Sequence, residues 1–379
     1  MRRFFLAAVL LLGCPSSDPP PEEPPPVSSL TLADWTNLGS LGVGELQLDL
    51  EDTSRETPAH GTFDALPSRS LPTTVWYPAT EGHALQPSVE APPAEGTFPL
   101  VVISHGFMSG ASDHAGLAAF LASHGYVVAN IEFPLSSRNA PGEADAADAI
   151  NQPEDVSFVL DEILGLTDGP VAGLVDDRIA TGGLSMGGLT TLAVGLHPAV
   201  KDDRIDALIA MAPATCSLGL DIFDVANPPL LLMHGSSDQI LPIDAHIPPL
   251  TDGLTGPWWL ATLAEGTHAG FPDAAAGLLD NLDHADTLGC GQLDLGDAES
   301  PATDQLDGEG GVLDPDCVEP CADLDDLLPG MKPSRQVDLS FGLAHAFLDA
   351  QFYGDAEGTL WLETGVGAQE PDVAVTFAP

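Results

Sequence analysis

Arg178-Ile179-Ala180-Thr181-Gly182-Gly183-Leu184-Ser185-Met186-Gly187-Gly188-Leu189-Thr190-Thr191-Leu192-Ala193-Val194-Gly195-Leu196 reads as a strand that turns sharply into a helix. The segment Arg178 to Leu184 has the composition of a strand. After Met186, apolar residues Leu189, Leu192, Ala193 and Leu196 recur at helical spacing, and His197-Pro198 stops them. Between the two lies Gly183-x-Ser185-x-Gly187. A serine at such a turn takes a strained backbone, and residues without Cβ let strand and helix pass close beside it, which lifts the hydroxyl off the sheet edge. The elbow glycines Gly183 and Gly187 therefore mark Ser185 as a candidate nucleophile.

Outward from this turn, strands and helices alternate. Thr73–Tyr77, Leu100–Ser104, Tyr126–Ile131, Ala207–Met211 and Leu230–Met233 read as strands, with Trp258–Leu263 as the last. Helices are predicted after Ser112 or Asp113, which can cap one ended by Gly125, at about Glu154 to Leu164, and at Leu339 to Phe352. Tyr126–Ile131 has no polar alternation and suits a strand covered on both faces. The alternation predicts an α/β fold, a mainly parallel central sheet flanked by helices.

A serine hydroxyl at neutral pH needs a base to take its proton and a carboxylate to hold that base in one tautomer. With the nucleophile first, acid and histidine follow in that order along the chain. Asp238 follows the strand Leu230–Met233 through His234-Gly235-Ser236-Ser237, and His268 follows the next strand through Glu265-Gly266-Thr267. Both fall at the carboxyl edge of the sheet. His246, His284 and His345 are rivals for the base, and Asp244 and Asp224 for the acid. The oxyanion hole is expected from the backbone N–H groups of Met186 and Phe107, the latter in His105-Gly106-Phe107 after Leu100–Ser104. His105 precedes the nucleophile and is expected to brace that loop.

Taken together, Leu71-Pro72-Thr73-Thr74-Val75-Trp76-Tyr77-Pro78, Val102-Ile103-Ser104-His105-Gly106, Leu121-Ala122-Ser123-His124-Gly125-Tyr126-Val127-Val128, the Ser185 turn and the Asp238 and His268 segments resemble the α/β-hydrolase superfamily. The likeness is to serine esterases similar to platelet-activating-factor acetylhydrolases and dienelactone hydrolases, neighbours of the cutinase-like polyester hydrolases. It spans about Ser68 to Pro272 and the closing helix. The resemblance implies an α/β-hydrolase fold and cleavage of carboxylic esters through an acyl-enzyme, with no metal or organic cofactor. Two departures stand out. Cutinase-like enzymes carry a tryptophan soon after the strand that corresponds to Ala207–Met211, where this chain has Pro213-Ala214, and dienelactone hydrolases proper use cysteine where Ser185 stands.

Arg2 and Arg3, the apolar run Phe4 to Leu12, and Leu11-Leu12-Gly13-Cys14 read as a lipoprotein-type export signal over residues 1–14. The run is too short to cross a bilayer of about 30 Å. Lipidation of Cys14 would hold the exported protein at a membrane surface; the alternative is plain secretion. Residues 15–27, with two Pro-Pro-Pro runs, predict an extended tether. Residues 28–379 are expected to form one catalytic domain.

Net charge is −47, from 57 acidic and 10 basic residues, which excludes nucleic acid as a partner because phosphate binding needs clustered Lys and Arg. The expected partners are a small or lipid-like ester and, through the lipid, a membrane; the chain is expected to act as a monomer. Residues of about 280–333 are rich in Asp, Gly and Pro and read as an acidic, cysteine-bearing surface insertion before the last helix. A solvated loop leads, with a cation site of Asp307, Glu309, Asp314 and Asp316 as the weaker reading. Cys216, Cys290, Cys317 and Cys321 form an even set in an exported chain, which predicts two disulfides. Cys317 with Cys321 and Cys216 with Cys290 is one of three pairings. Two further functions compete with a small-ester esterase: polyester hydrolysis, and a surface binding module that keeps the fold without the chemistry.

Overall fold

The structure is a computed structural model that describes residues 27–293, 320–322, 324 and 327–379. The export signal with Cys14, nearly all of the tether, Cys317 and the four cation-ligand candidates lie outside the described residues.

Ten strands form one sheet: β1 (Gly42–Asp52), β2 (Arg69–Ala79), β3 (Ser88–Val89), β4 (Phe98–Ser104), β5 (Val127–Ile131), β6 (Val175–Leu184), β7 (Ala207–Met211), β8 (Leu230–Gly235), β9 (Trp258–Leu263) and β10 (Val373–Ala378). Their spatial order is β10-β9-β8-β7-β6-β4-β5-β2-β1-β3. From β5 through β9 every neighbouring pair is parallel, whereas β2 joins antiparallel to β5 and β10 antiparallel to β9. Parallel strands covered on both faces want continuous apolar runs, and β5 and β7 are buried at every position.

Helix α1 is Leu32–Thr36, α2 Ala115–Ser123, α3 Gln152–Leu164, α4 Met186–Leu196, α5 Asp286–Leu293 and α6 Pro333–Leu348. Alternate residues of β4 feed two separate cores. Val101 and Ile103 pack with α1, α2 and α6 on one face, and Leu100 and Val102 with α3 and α4 on the other. The predicted helical stripe Leu189, Leu192, Ala193 and Leu196 lies in the second core. Arg69 is fully buried at the start of β2, where its guanidinium meets the carboxylates of Asp148 and Asp155.

Three sequence expectations differ from the structure. Trp258–Leu263 is not the last strand, because β10 adds an antiparallel edge beyond it. Neither Ser112 nor Asp113 caps α2. Its first amides, Gly116 and Leu117, donate at 2.9 Å to the carboxylate of Asp273, brought from far along the chain. The helix at Leu339 to Phe352 begins earlier, at Pro333, and its end winds into a wider turn over Asp349–Tyr353. The cysteine pairing, which the sequence left open among three, is decided by packing. Cys290 is bonded to Cys321, with Cα atoms 5.7 Å apart, and Cys216 is disulfide-bonded as well. The pairing of Cys317 with Cys321 fails because Cys290, buried on α5, packs with Cys321 against Ile240 and Leu241, a contact set by tertiary packing and not by nearness in sequence.

Candidate active site

Ser185 stands between the last residue of β6 and the first of α4 with φ 59° and ψ −116°, a conformation that costs an L-residue about 1–3 kcal/mol and must be held by its surroundings. Three backbone bonds hold it: Ser185 N donates to Met211 O at 2.9 Å, Ala214 N to Ser185 O at 3.2 Å and Leu189 N to Ser185 O at 2.9 Å. The glycines beside it have a steric cause. A Cβ on Gly183 would lie 2.4 Å from the Gly187 carbonyl, and one on Gly187 would lie 2.0 Å from Ser104 O. Gly188, which the sequence reading passed over, faces the same limit, with Pro213 at 2.9 Å.

Ser104 O belongs to the end of β4, so the turn presses directly on the next loop. A Cβ on Gly106 would lie 3.4 Å from Ser185 Cβ, which puts His105-Gly106-Phe107 against the serine. His105 is buried and its tautomer follows from its neighbours: Nδ1–H donates to Gly106 O at 2.7 Å, and Nε2 accepts from Phe133 N at 3.1 Å. Burial holds its pKa below the usual histidine range, so it stays neutral and braces the loop. Phe107 N–H has no acceptor among the described residues, and the first amide of a helix, here Met186, has none within the helix. A cavity of about 520 Å³ behind this loop, lined by Phe63, Leu66, Glu132, Phe133 and Leu135 among others, touches none of Ser185, Asp238 and His268.

Asp238 and His268 are brought into contact from the ends of β8 and β9. His268 Nδ1 lies 2.8 Å from Asp238 Oδ2, while Asp238 Oδ1 accepts from the amides of Ile240 at 2.9 Å and Leu241 at 2.7 Å. The Asp238 side chain has no exposed surface. Its burial opposes ionisation, yet His268, His234 and the Leu241 amide together hold its pKa below the usual carboxylate range. For His268, burial works against the charged ring, but the charge and hydrogen bond of Asp238, with the charge of Asp286, prevail and raise its pKa above the ordinary 6.5. His234 Nε2 donates to Leu241 O at 2.8 Å and steadies the acid loop from below.

Of the rivals, the side chain of Asp224 lies outside the described residues. His246 is buried and accepts from Thr215 N at 3.1 Å. His345 sits on α6 with Nδ1 2.9 Å from Trp35 O and Nε2 3.3 Å from Asp349. His284 is buried near Gly330 and Thr267. Asp244 is exposed.

Two residues of the site were missed in the sequence. Asp286, assigned to a solvated acidic insertion, is fully buried, and its carboxylate accepts from Gln239 N, His268 N and Ala269 N. The insertion is therefore a surface loop only in part. Gln336 of α6 pairs its amide with the backbone of Thr267, accepting from N at 2.9 Å and donating to O at 2.7 Å. Neither role has a local signature, because each arises where distant segments meet.

Residues 86–268 match the family model described as PETase: PET hydrolase-like. Among solved structures, the chain is similar to a ferulic acid esterase from Streptomyces cinnamoneus, at 23% identity and a TM-score of 0.59, over 89% of this chain and 97% of that one. No curated protein matches the chain.

Proposed function

We propose that the chain is a hydrolase of the α/β-hydrolase superfamily, a reading supported by the family match over residues 86–268 and by the shared fold, and that it cleaves carboxylic esters through an acyl-enzyme on Ser185. The observation that carries this is the His268–Asp238 bond of 2.8 Å made by a carboxylate without exposed surface, at the same sheet edge as a serine held at φ 59°. A fold seldom buries a charge unless it is paired and hydrogen-bonded; this one spends it on orienting an imidazole.

The chemistry follows from those positions. Nδ1–H donates to Asp238, so the lone pair of Nε2 is left to take the Ser185 proton as Oγ attacks the ester carbonyl. The resulting oxyanion is met by the amides of Phe107 and Met186. Collapse expels the alcohol, which takes its proton from His268. Water, deprotonated by the same ring, then releases the acid. Asp238 stays ionised throughout and offsets the charge of the imidazolium.

Short p-nitrophenyl esters test this: turnover should vanish in Ser185→Ala and His268→Ala, and undiminished rates in both would sink the assignment. A second reading, polyester hydrolysis, is favoured by the family match over residues 86–268. Release of soluble monomers from a polyester film supports it, and methyl ferulate belongs in the same panel. A fluorophosphonate adduct mapped to Ser185 separates either enzyme from a binding module, which would remain unlabelled.

The Cys290–Cys321 bridge suits an oxidising, extracellular setting. Export and lipidation at Cys14 complete the proposal. Cys14→Ser should move the protein from the membrane fraction to the soluble one, and an unchanged distribution counts against the anchor.

A further inference from the structure

We infer that Asp286 is a positioning residue, a buried carboxylate that clamps the acid loop to the base loop and tunes His268 through its charge. The inference rests on the reading of His268 as the base. Oδ2 of Asp286 accepts from Gln239 N at 2.9 Å and from His268 N at 3.2 Å, and Oδ1 accepts from Ala269 N at 2.7 Å. Gln239 is the residue after Asp238. One side chain thus gathers amides from both loops whose side chains form the 2.8 Å pair.

The helix carrying Asp286 is itself fixed to the same place. Cys290, one turn further along α5, is bonded to Cys321, and Cys321 N donates to Gln239 O at 2.8 Å. Gln239 is therefore gripped through its N–H by Asp286 and through its carbonyl by Cys321. A Cβ on Gly289 would stand 2.8 Å from Ile240 Cδ1, so α5 already packs tightly on the residues after the acid. The same hypothetical Cβ lies 3.9 Å from Ala269 Cβ, so α5 sits against both loops.

Charge adds a second effect. Among the described residues, the ionisable groups that act on His268 are Asp238 at its Nδ1, Asp286 beneath its backbone and His234 on the far side of Asp238, while α6 meets the base loop through the uncharged Gln336. The negative charge of Asp286 favours the imidazolium. Removing it makes the ring a base at lower pH.

The test is steady-state hydrolysis of p-nitrophenyl acetate by the full chain from pH 5 to 9, with circular dichroism to verify folding. Asp286→Asn keeps the shape but can accept on one side only. Its kcat should fall about 10- to 100-fold with KM changed less than about threefold, since displaced catalytic groups cost rate and not binding. The acid limb of its profile should move down by about half a pH unit or more, as loss of a nearby charge requires. A wild-type kcat, or a fallen kcat with an unmoved limb, overturns the proposal, the latter because a purely structural role predicts it. Should that variant not fold, Asp286→Glu keeps the charge: an unmoved limb with a lower kcat supports the clamp, whereas a moved limb or an undiminished kcat overturns it. Failure of the esterase reading looks different, since Ser185→Ala would then retain turnover.

Discussion

Replacing Asp238 by asparagine is the sharpest probe of the site, because the surroundings dictate which way the new amide must face. Oδ1 of Asp238 accepts from Ile240 N at 2.9 Å and Leu241 N at 2.7 Å. An Asn with its NH₂ turned toward those amides would leave two buried donors unsatisfied, at about 1–3 kcal/mol each. The oxygen therefore stays there, and the NH₂ takes the place of Oδ2, against His268 Nδ1. It donates, Nδ1 must accept, and the ring proton moves to Nε2, which then cannot accept the Ser185 proton as the proposed mechanism requires. Reaching the productive tautomer then costs about 2–6 kcal/mol, to which the lost stabilisation of the imidazolium is added. A fall in kcat/KM of about 10³- to 10⁴-fold, roughly 4–5.5 kcal/mol, lies in the upper part of that range and is the expected effect. Initial rates on p-nitrophenyl acetate at pH 8, with matched thermal melts, measure it. A folded Asp238→Asn retaining more than about a tenth of wild-type kcat/KM would refute the tautomer argument and with it the place of Asp238 in the site.

Three further outcomes follow from the geometry. Since His268 must be neutral to act as a base and its pKa lies above 6.5, kcat/KM should be fully present above that pKa and fall tenfold per pH unit below it; a profile still flat at pH 5 contradicts this. Arg69→Ala strands the buried carboxylates of Asp148 and Asp155 and should destabilise the protein by about 3–5 kcal/mol in urea unfolding, so a change under about 1 kcal/mol would show that the network carries no net stability. Gly187→Ala sets a methyl 2.0 Å from Ser104 O and should give an inactive, strongly destabilised protein; wild-type activity would mean that the turn is looser than its geometry says.

How much of this was legible in the sequence depends on where each signal resides. Met186–Leu196, Ala207–Met211 and Trp258–Leu263 coincide with elements of the fold because their apolar runs are local. The edge strands were not legible. β10 is exposed at alternate positions, with Phe377 in solvent, and it pairs on one side only. β1 alternates Leu46, Leu48 and Leu50 with acidic and amide residues, the period-two pattern of a half-buried strand that a search for continuous apolar runs passes over. The N-terminus of α2 misled for a related reason: Ser112 and Asp113 have the right chemistry to cap it, but a short 3₁₀ turn over Ala111–His114 intervenes and Asp273 supplies the carboxylate. Asp286 was hidden by its neighbours, since an acidic stretch looks solvated whichever of its carboxylates is buried.

The boundary of the family match gives the last step. It ends at residue 268, so Asp286, Cys290, Cys321 and α6 all lie beyond it, and three anchors of the base loop come from there: Asp286 to His268 and Ala269, Gln336 to Thr267, and Met331 N to Glu265 O at 2.6 Å. Two others lie within the match, Glu265 N donating to Ser236 Oγ and Ser237 N to Gly266 O, each at 2.9 Å. The loop of the proposed base is thus held from both sides of that boundary. A loop that merely decorated the rim would leave its neighbours' hydrogen bonds intact when changed. This one cannot: the amides of residues 239, 268 and 269 would lose their acceptor, and the 2.8 Å contact between His268 and Asp238 would keep only the loop-to-loop bonds of Ser236 and Ser237 and the two strand ends. On the proposed mechanism, alterations to the insertion near Asp286 should therefore lower kcat on p-nitrophenyl acetate, and an undiminished kcat would count against that coupling.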